Sequence, residues 1–481
     1  MDFKKLNDQE IVRREKLNKL IELGKSPYKV EKVDVTFSLS DVISRGLEIT
    51  QSFCCAGRVL LIRRTFFVLS ENGKRLQAYI NIKEDQGKEL FKYFDEFVDI
   101  GDYLSISGNL FTTKTGELTV NVSSLQIISK SLKPLPEKRV GITNPELMMR
   151  NRVGALLVNN DLLEDLGWRS KIIFELRNYL NSLGYLEFET PILHKIAGGA
   201  VAKPFKTFHN SLKEELFLRI ATELHLKRLI VSGFTKVFEI GKSFRNEGID
   251  STHNPEFTSI EIYTTYLDME LTMDLTENII LHLNKLISER TAGEERQRGI
   301  SSLTFERKAI WELLQEKLNV DFLNNPPSLE EMLKLASKWN IHLEEHEKNW
   351  SSIYEKLFED LISPELKNPT FVYGFSSELS PLAKKDFSNE RFARRFELYM
   401  DGVELANGFS EQNDPEEQLN QFKLQASRET SQGGVDYDYI SCLEYGLPPT
   451  GGVGIGLDRL IMFLLNRQSI KEIIAFPHLK G

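Results

Sequence analysis

The chain has 481 residues, 41% hydrophobic and 27% charged, with three cysteines and a formal net charge of -9. A chain of this length divides into about two to four domains, and its ordinary composition excludes wholesale disorder and fibrous repeats. The apolar run Leu460-Ile-Met-Phe-Leu-Leu465 is far too short to span a bilayer, and the first ten residues lack the apolar stretch of a signal peptide. Cys54 and Cys55 are adjacent and Cys442 is distant, a pattern that makes neither a disulfide framework nor a zinc quartet. The chain reads as a reduced, cytoplasmic protein with no membrane association.

The negative charge argues against a nucleic-acid partner until its distribution is examined. Residues 1–150 carry 24 Lys and Arg against 20 Asp and Glu, a net of +4, and the remainder carries 37 against 50, a net of -13. That asymmetry is a weak hint of a basic accessory domain on an acidic body.

In chain order, residues 8–24 place Ile11, Leu17, Leu20, Ile21 and Leu23 among charges at helical spacing and stop at Gly24. Short strand-like runs follow at 53–64, 65–70, 75–82, 103–111 and 118–122. Turn signals separate them at Glu71-Asn-Gly-Lys74 and Lys114-Thr-Gly-Glu117, and a charged helical stretch at 84–97 follows the third run. Five strands with a helix after the third match the order of an OB-type barrel, although another small β-domain fits the same pattern. Residues 129–139 read as a Pro- and Lys-containing linker. Beyond it lies an α+β region. A helix is predicted at 169–183, an extended run broken by Pro191 at 185–193, and strands at 216–220, 236–240 and 256–263 around a helix at 223–232. A helix-rich stretch over about 271–361 reads as an insertion, strands resume at 396–400 and 403–407, and a Gly-rich segment leads into a final helix.

Three constellations carry chemistry. Phe244-Arg-Asn-Glu-Gly-Ile-Asp-Ser-Thr-His-Asn-Pro-Glu-Phe-Thr258 joins two strands through a loop whose Arg245 suits a carboxylate or phosphate, although such loops are commonly only solvated. In Gly451-Gly-Val-Gly-Ile-Gly-Leu-Asp-Arg-Leu460, four glycines let a flat ligand approach backbone, while tight strand-to-helix packing explains them equally well. Glu397, Glu404 and Glu411 lie on or just after neighbouring strands. They suit magnesium and a nucleotide, or are merely exposed acids on an antiparallel pair.

Taken together and in this order, these segments resemble the class II aminoacyl-tRNA synthetases, with 186–193 similar to motif 1, 244–258 to motif 2 and 451–460 to motif 3. Nearly the whole chain is similar to the bacterial lysyl-tRNA synthetase family. The residues that carry this likeness include Leu6-Asn-Asp-Gln-Glu-Ile-Val-Arg-Arg-Glu-Lys-Leu17, Thr113-Lys-Thr-Gly-Glu-Leu-Thr119, Ser131-Leu-Lys-Pro-Leu-Pro-Glu-Lys138 and Glu404-Leu-Ala-Asn-Gly-Phe-Ser-Glu-Gln-Asn-Asp414.

The resemblance implies an α+β chain. An N-terminal helical segment (1–50) leads into an OB-fold anticodon-binding barrel (51–140). A class II catalytic domain (141–481) follows, an antiparallel sheet flanked by helices with a helical insertion at about 271–365. It implies that lysine is joined to ATP as lysyl-adenylate and then transferred to tRNA-Lys, with Mg2+ as cofactor and a homodimer built across motif 1. Arg245 and Arg459 are the implied catalytic residues. Glu247, His253, Asn254 and Phe257 join them in binding ATP, Phe257 and Arg459 sandwich adenine, and Glu397 and Glu404 carry the metal. Lysine is implied to lie among Gly199, Glu223, Arg245, Glu261, Tyr263, Asn407, Phe409 and Glu411. Glu411, Tyr263 and Glu261 surround its ε-ammonium, and Glu223 and Gly199 take its α-amine. Phe66, Gln77 and Glu117 align with the residues that read anticodon uridines, with Phe67 as an alternative to Phe66 for stacking.

The chain also departs from the family. Arg152-Val-Gly-Ala-Leu-Leu157 replaces an Arg-Tyr-Leu-Asp-Leu run, and Thr222 and His225 stand where Pro and Tyr are usual. Two rival readings are a paralogue that loads lysyl-adenylate onto a non-tRNA acceptor and a non-catalytic RNA-binding protein. Residues 53–128 count against the first, and joint retention of Arg245, Glu404 and Arg459 against the second.

Overall fold

A computed structural model describes residues 6–136, 145–200, 202–291, 298–300, 303–428 and 434–479. The chain divides into two compact units, Met1–Glu164 and Asp165–Gly481. Residues 137–139 of the expected linker lie outside the described residues.

In the first unit, α1 (Asp8–Glu22) starts with a reciprocal cap between Asn7 and Glu10. Of the five apolar residues read as its inner face only Leu17 and Leu20 are buried, and Ile11, Ile21 and Leu23 are exposed. Arg13 completes that face instead, its Nη1 donating to the Ser131 carbonyl at 2.8 Å. After α2 (Leu39–Arg45) come β1 (Phe53–Arg63), β2 (Phe66–Glu71), β3 (Lys74–Tyr79), α3 (Asp85–Phe97), β4 (Tyr103–Thr112) and β5 (Leu118–Ser129). The strands close into a barrel in the order β1-β2-β3-β5-β4. Asn72 and Gly73, both at positive φ, make the β2–β3 hairpin turn. Strand β5 outruns its predicted end at 122 because polar Ser123 and Ser124 mask an alternation that resumes with buried Ile127. Helices α4 (Pro145–Arg150) and α5 (Arg152–Val158) follow, so the atypical 152–157 stretch is helical, and α6 (Asn160–Ser182) runs from this unit into the second.

The second unit contains β6 (Leu186–Glu187), β7 (Leu193–His194), β8 (Lys206–His209), β9 (Glu214–Leu218), α7 (Glu223–Val231), β10 (Lys236–Phe244), β11 (Glu256–Thr265) and α8 (Met269–Arg290). Next come β12 (Glu306–Ala309), α9 (Ile310–Leu318), α10 (Leu329–Lys338), α11 (Trp350–Leu361), β13 (Thr370–Tyr373), β14 (Arg395–Met400) and β15 (Val403–Ser410). The described chain ends with α12 (Pro415–Arg428), α13 (Tyr437–Leu443), β16 (Thr450–Gly456), α14 (Leu457–Leu464) and α15 (Ile470–Ile473).

Eight strands form one sheet in the order β12-β13-β14-β15-β16-β11-β10-β6. The antiparallel sheet expected from sequence runs from β13 to β10, and β12 and β6 add parallel pairs at its two edges. Strand β12 lies inside the stretch read as helical insertion. Helix α8, at the start of that stretch, packs into the main core, so the separate helical core belongs to α9, α10 and α11.

The two faces of the sheet are chemically distinct. Phe238, Ile260, Ile262, Phe396, Leu398, Val453 and Ile455 point into a core shared with Trp168, Ile172 and Leu176 of α6 and with Met273 and Leu283 of α8. Strand residues alternate between faces, so Glu239, Glu261, Tyr263, Arg395, Glu397, Gly452 and Gly454 fall on the opposite face. That face carries every strand residue of the candidate site discussed next.

Candidate active site

Strand register brings the nominated residues into rows. Glu261 on β11 lies between Glu239 on β10 and Gly454 on β16, and Gly454 in turn lies beside Asn407 on β15, which pairs with Glu397 on β14. Glycines occupy three consecutive site-facing positions of β16: Gly452, Gly454 and Gly456. A Cβ at Gly452 would collide with Glu411 Oε1 and stand 2.5 Å from Tyr263 Cε1, so these side chains lie directly on the strand backbone. At Gly454 the nearest atom to such a Cβ is Glu261 Cγ at 3.6 Å, and at Gly456 it is the Leu405 carbonyl at 3.7 Å. The protein leaves open room over these two residues, a trough floored by backbone.

At one end of the trough lies a buried acidic pocket. Glu223, Glu261 and Glu411 are 6%, 7% and 0% exposed, and Tyr263 joins them at 2%. The Tyr263 hydroxyl donates to Glu261 Oε2 at 2.9 Å, and the Thr222 backbone N–H donates to Glu261 Oε1 at 3.0 Å. Gly199, at φ +87°, packs against the base of Glu223. Burial pushes the Glu223 carboxyl up to about 7, against the pull of Lys227. Burial likewise raises Glu261, and holds the Glu411 carboxyl and the Tyr263 hydroxyl well above their usual ranges. Phe409 and Asn407 flank the pocket on β15, and Asn407 Oδ1 accepts from Arg395 Nε at 3.3 Å.

Sequence reasoning missed Lys227. Its fully buried Nζ donates to Glu223 Oε1 at 2.5 Å and pairs with Glu411, 5.3 Å from the Phe409 ring centroid and 6.0 Å from that of Tyr263. Its spacing of four from Glu223 on α7 was the available signal. Arg395 was missed too: it donates to Glu397 Oε1 at 2.5 Å while the Tyr399 hydroxyl donates to Oε2 at 2.6 Å.

Glu397 is buried and Glu404 is more open, 40% of its side chain being exposed. Burial raises the Glu397 carboxyl to about 7, with Arg395 opposing and the nearby Glu404 charge adding to the rise. Glu397 pairs with Arg395 and Glu404 with Arg459, and their carboxylates are the hard oxygen donors that suit a magnesium ion. Among the described residues no group of three or more His, Cys, Asp or Glu side chains is arranged to hold a metal.

At the other end, the Arg245 guanidinium stacks 5.2 Å from the Phe257 ring centroid, and its buried Nε has no hydrogen-bond partner. Arg459 is held by three neighbours: Nη1 donates to the Glu404 carbonyl at 2.6 Å, Nε to the Thr252 carbonyl at 3.2 Å, and Nη2 to His253 Nε2 at 2.9 Å. Arginine only donates, so His253 Nδ1 carries the proton that reaches Asp250 Oδ2 at 2.8 Å. Glu247 is exposed, while buried Asn254 donates through Nδ2 to the Glu256 carbonyl at 2.8 Å and keeps Oδ1 without a partner. Asp458, beside Arg459, accepts the Thr258 N–H at 2.9 Å and pairs with Arg169 at 2.6 Å, fixing α14 against β11 and α6. A cavity of about 460 Å3 beside Ser251 and Thr252, lined also by Asp401 and Arg467, contains none of the nominated residues.

In the barrel, Phe66 faces outward 4.7 Å from Tyr79, and Tyr79 lies 6.1 Å from Phe111. Gln77 Nε2 donates to Thr119 Oγ1 at 2.9 Å on the same face. Glu117 is exposed at the β4–β5 turn, where its backbone N–H donates to Thr113 Oγ1. Phe67 is 1% exposed and packs on Phe94 in the barrel core, so it does not share the Phe66 surface. Tyr79 and Phe111 were not nominated, although alternation along β3 and β4 places them there.

The antiparallel sheet with an Arg-bearing hairpin, paired acids and a glycine-faced strand is the scaffold of a class II tRNA synthetase. The family described as "tRNA synthetases class II (D, K and N)" matches residues 144–480, and "OB-fold nucleic acid binding domain" matches 53–128. The chain is 42% identical over 487 residues to a lysine–tRNA ligase of Malacoplasma penetrans, covering 99% of both chains. It is 44% identical over 492 residues to one of Mycoplasmoides gallisepticum, again 99% of both. The Streptococcus mutans lysine–tRNA ligase is 43% identical over 493 residues, 99% of this chain and 98% of its own. The chain belongs to the lysine–tRNA ligase family of class II synthetases.

Proposed function

We propose that the chain activates L-lysine with ATP to lysyl-adenylate and pyrophosphate, then transfers lysine to the 3' end of tRNA-Lys in the cytoplasm. The observation that carries the substrate choice is the buried cluster of Glu223, Glu261 and Glu411 with Tyr263, an environment suited to a cationic side chain and hostile to a neutral one.

Arg245, with Nε free, takes the lysine carboxylate and the α-phosphate and stabilises the charge that develops between them. Phe257 and Arg459 bracket the adenine over the trough at Gly454 and Gly456, and His253, Asn254 and Glu247 line the same nucleotide. The ε-ammonium reaches Glu411, Tyr263 and Glu261, the α-amine turns to Glu223 and Gly199, and Asn407 and Phe409 form the floor. Holding the carboxylate in line with the phosphorus contributes roughly several kcal/mol by orientation. Glu397 and Glu404 would hold Mg2+, which supplies charge neutralisation at the phosphates when bound. Phe66, Gln77 and Glu117 read the anticodon, and the outward aromatic row with Tyr79 supports stacking of single-stranded bases. A homodimer across the motif 1 region is supported by exposed Leu186, Ile192, Leu193 and Phe208.

Lysine-dependent ATP–pyrophosphate exchange tests activation, and transfer of labelled lysine to total tRNA tests the acceptor. Exchange without charging of any lysine tRNA would overturn the reading.

A further inference from the structure

The acidic pocket already holds a cation of its own. Lys227 Nζ, fully buried, donates to Glu223 Oε1 at 2.5 Å and forms an ion pair with Glu411 Oε2; neither Glu411 oxygen has a hydrogen-bond partner, and Oε1, outside that ion pair, lies against Gly452. With all groups ionised, the three carboxylates and one ammonium leave a deficit of two positive charges. A diamino acid whose carboxylate is taken by Arg245 brings two ammonium groups, and so closes that deficit. A resident cation is otherwise unexpected in a site that must attract one, because like charges in a buried cluster repel.

We propose that Lys227 is a specificity-determining positioning residue: it holds Glu223 and Glu411 from one side and sets the charge of the pocket to match a substrate with two ammonium groups. This rests on the assignment of the pocket to lysine. Lys227 takes one oxygen of each acid and turns the other toward the ligand, so the free Glu411 oxygen presented over Gly452 is the acceptor for the ε-ammonium. Without Lys227 the two acids repel each other and lose their fixed orientation. The residue does not touch the phosphates and acts only through the acids it holds.

The test is lysine-dependent ATP–pyrophosphate exchange by the full chain carrying Lys227→Met or Lys227→Arg, with melting curves as a control for folding. The Met variant is expected to raise the KM for lysine roughly tenfold or more, the effect of leaving buried acids without their partner, while the KM for ATP stays within about twofold. The Arg variant, which keeps the charge, stays within about threefold of wild type for lysine. An unchanged lysine KM in the Met variant, or equal losses for lysine and ATP, would overturn the inference. Where the Met variant does not fold, the Arg variant decides: a near-normal lysine KM supports the charge role, and a tenfold rise overturns it. Glu411→Gln, run alongside, separates the two levels of argument. If it leaves lysine use untouched, the pocket assignment itself has failed; if it weakens lysine use and Lys227→Met does not, only the role of Lys227 falls.

Discussion

Thr222 stands where the resembled family usually has proline, and its backbone N–H donates to Glu261 Oε1, a bond proline cannot make. Thr222→Pro is therefore expected to lower stability by about 1–3 kcal/mol, the cost of removing a partner from a buried acceptor, whereas Thr222→Val keeps the N–H and stays close to wild type. Urea unfolding of the two variants checks this. Glu397 gives a second expectation. Its carboxyl is raised from 4.5 to about 7, so the folded protein binds that proton more tightly than the unfolded chain does. Stability from this group is present at low pH and is lost as pH rises through the folded value. Glu397→Gln should accordingly gain on wild type as pH climbs from about 4.5 to 7 and hold that gain above 7, read from melting temperatures across the range. At this scale Arg245, Glu411 and Arg459 could be nominated only through the resemblance of their whole motifs to a family, since each alone reads as a solvated charge or a packing element. Lys227 was not nominated: a lysine four residues after a glutamate on a helix looks like any solvated pair, and only the fold buries it.

Strand β16 shows how an element divides its labour. Its glycines at 452, 454 and 456 face the site while Val453 and Ile455 fill the core. Adding one methyl group at two of these glycines should give opposite outcomes. Gly452→Ala would drive a Cβ into Glu411 and Tyr263 and is expected to raise the lysine KM well above the ATP KM. Gly454→Ala meets only Glu261 Cγ at 3.6 Å, so melting should barely move while kcat/KM for exchange falls about tenfold, because the methyl stands where substrate must lie. Exchange kinetics with a melting curve distinguish the two. The five barrel strands were readable because each is six or more residues long and turn signals mark the β2–β3 and β4–β5 junctions. Strands β8, β12 and β13 were missed, four residues apiece and too short to show a period. The helix at 8–24 was found but its buried face was misjudged, because Arg13 replaces aliphatic packing with a hydrogen bond.

For the molecule as a whole, net charge was a misleading quantity and its distribution an informative one. Residues 1–150 sum to +4 and the rest to -13, so the proposed anticodon-binding part and the proposed lysine site carry opposite signs. Attraction of tRNA to an exposed basic surface is screened by salt, whereas the buried acids are shielded from it. Raising salt from about 50 to 200 mM should increase the KM for tRNA several-fold and leave the lysine KM in exchange within about twofold. Aminoacylation and exchange measured in parallel check this. None of the described helices is long and apolar enough to cross a membrane.

The two-faced sheet also determines how damage would present itself. Along β11 and β16, Ile260, Ile262, Val453 and Ile455 serve the core, and the alternate residues Glu261, Gly452 and Gly454 lie on the candidate-site face. A systematic substitution scan should therefore show lost abundance at Phe238, Ile260, Ile262, Leu398 and Ile455, and normal abundance with lost exchange activity at Gly454, where the protein leaves room for a side chain. Stability and catalysis, commonly entangled in an enzyme, should come apart most cleanly at the glycine-faced part of β16.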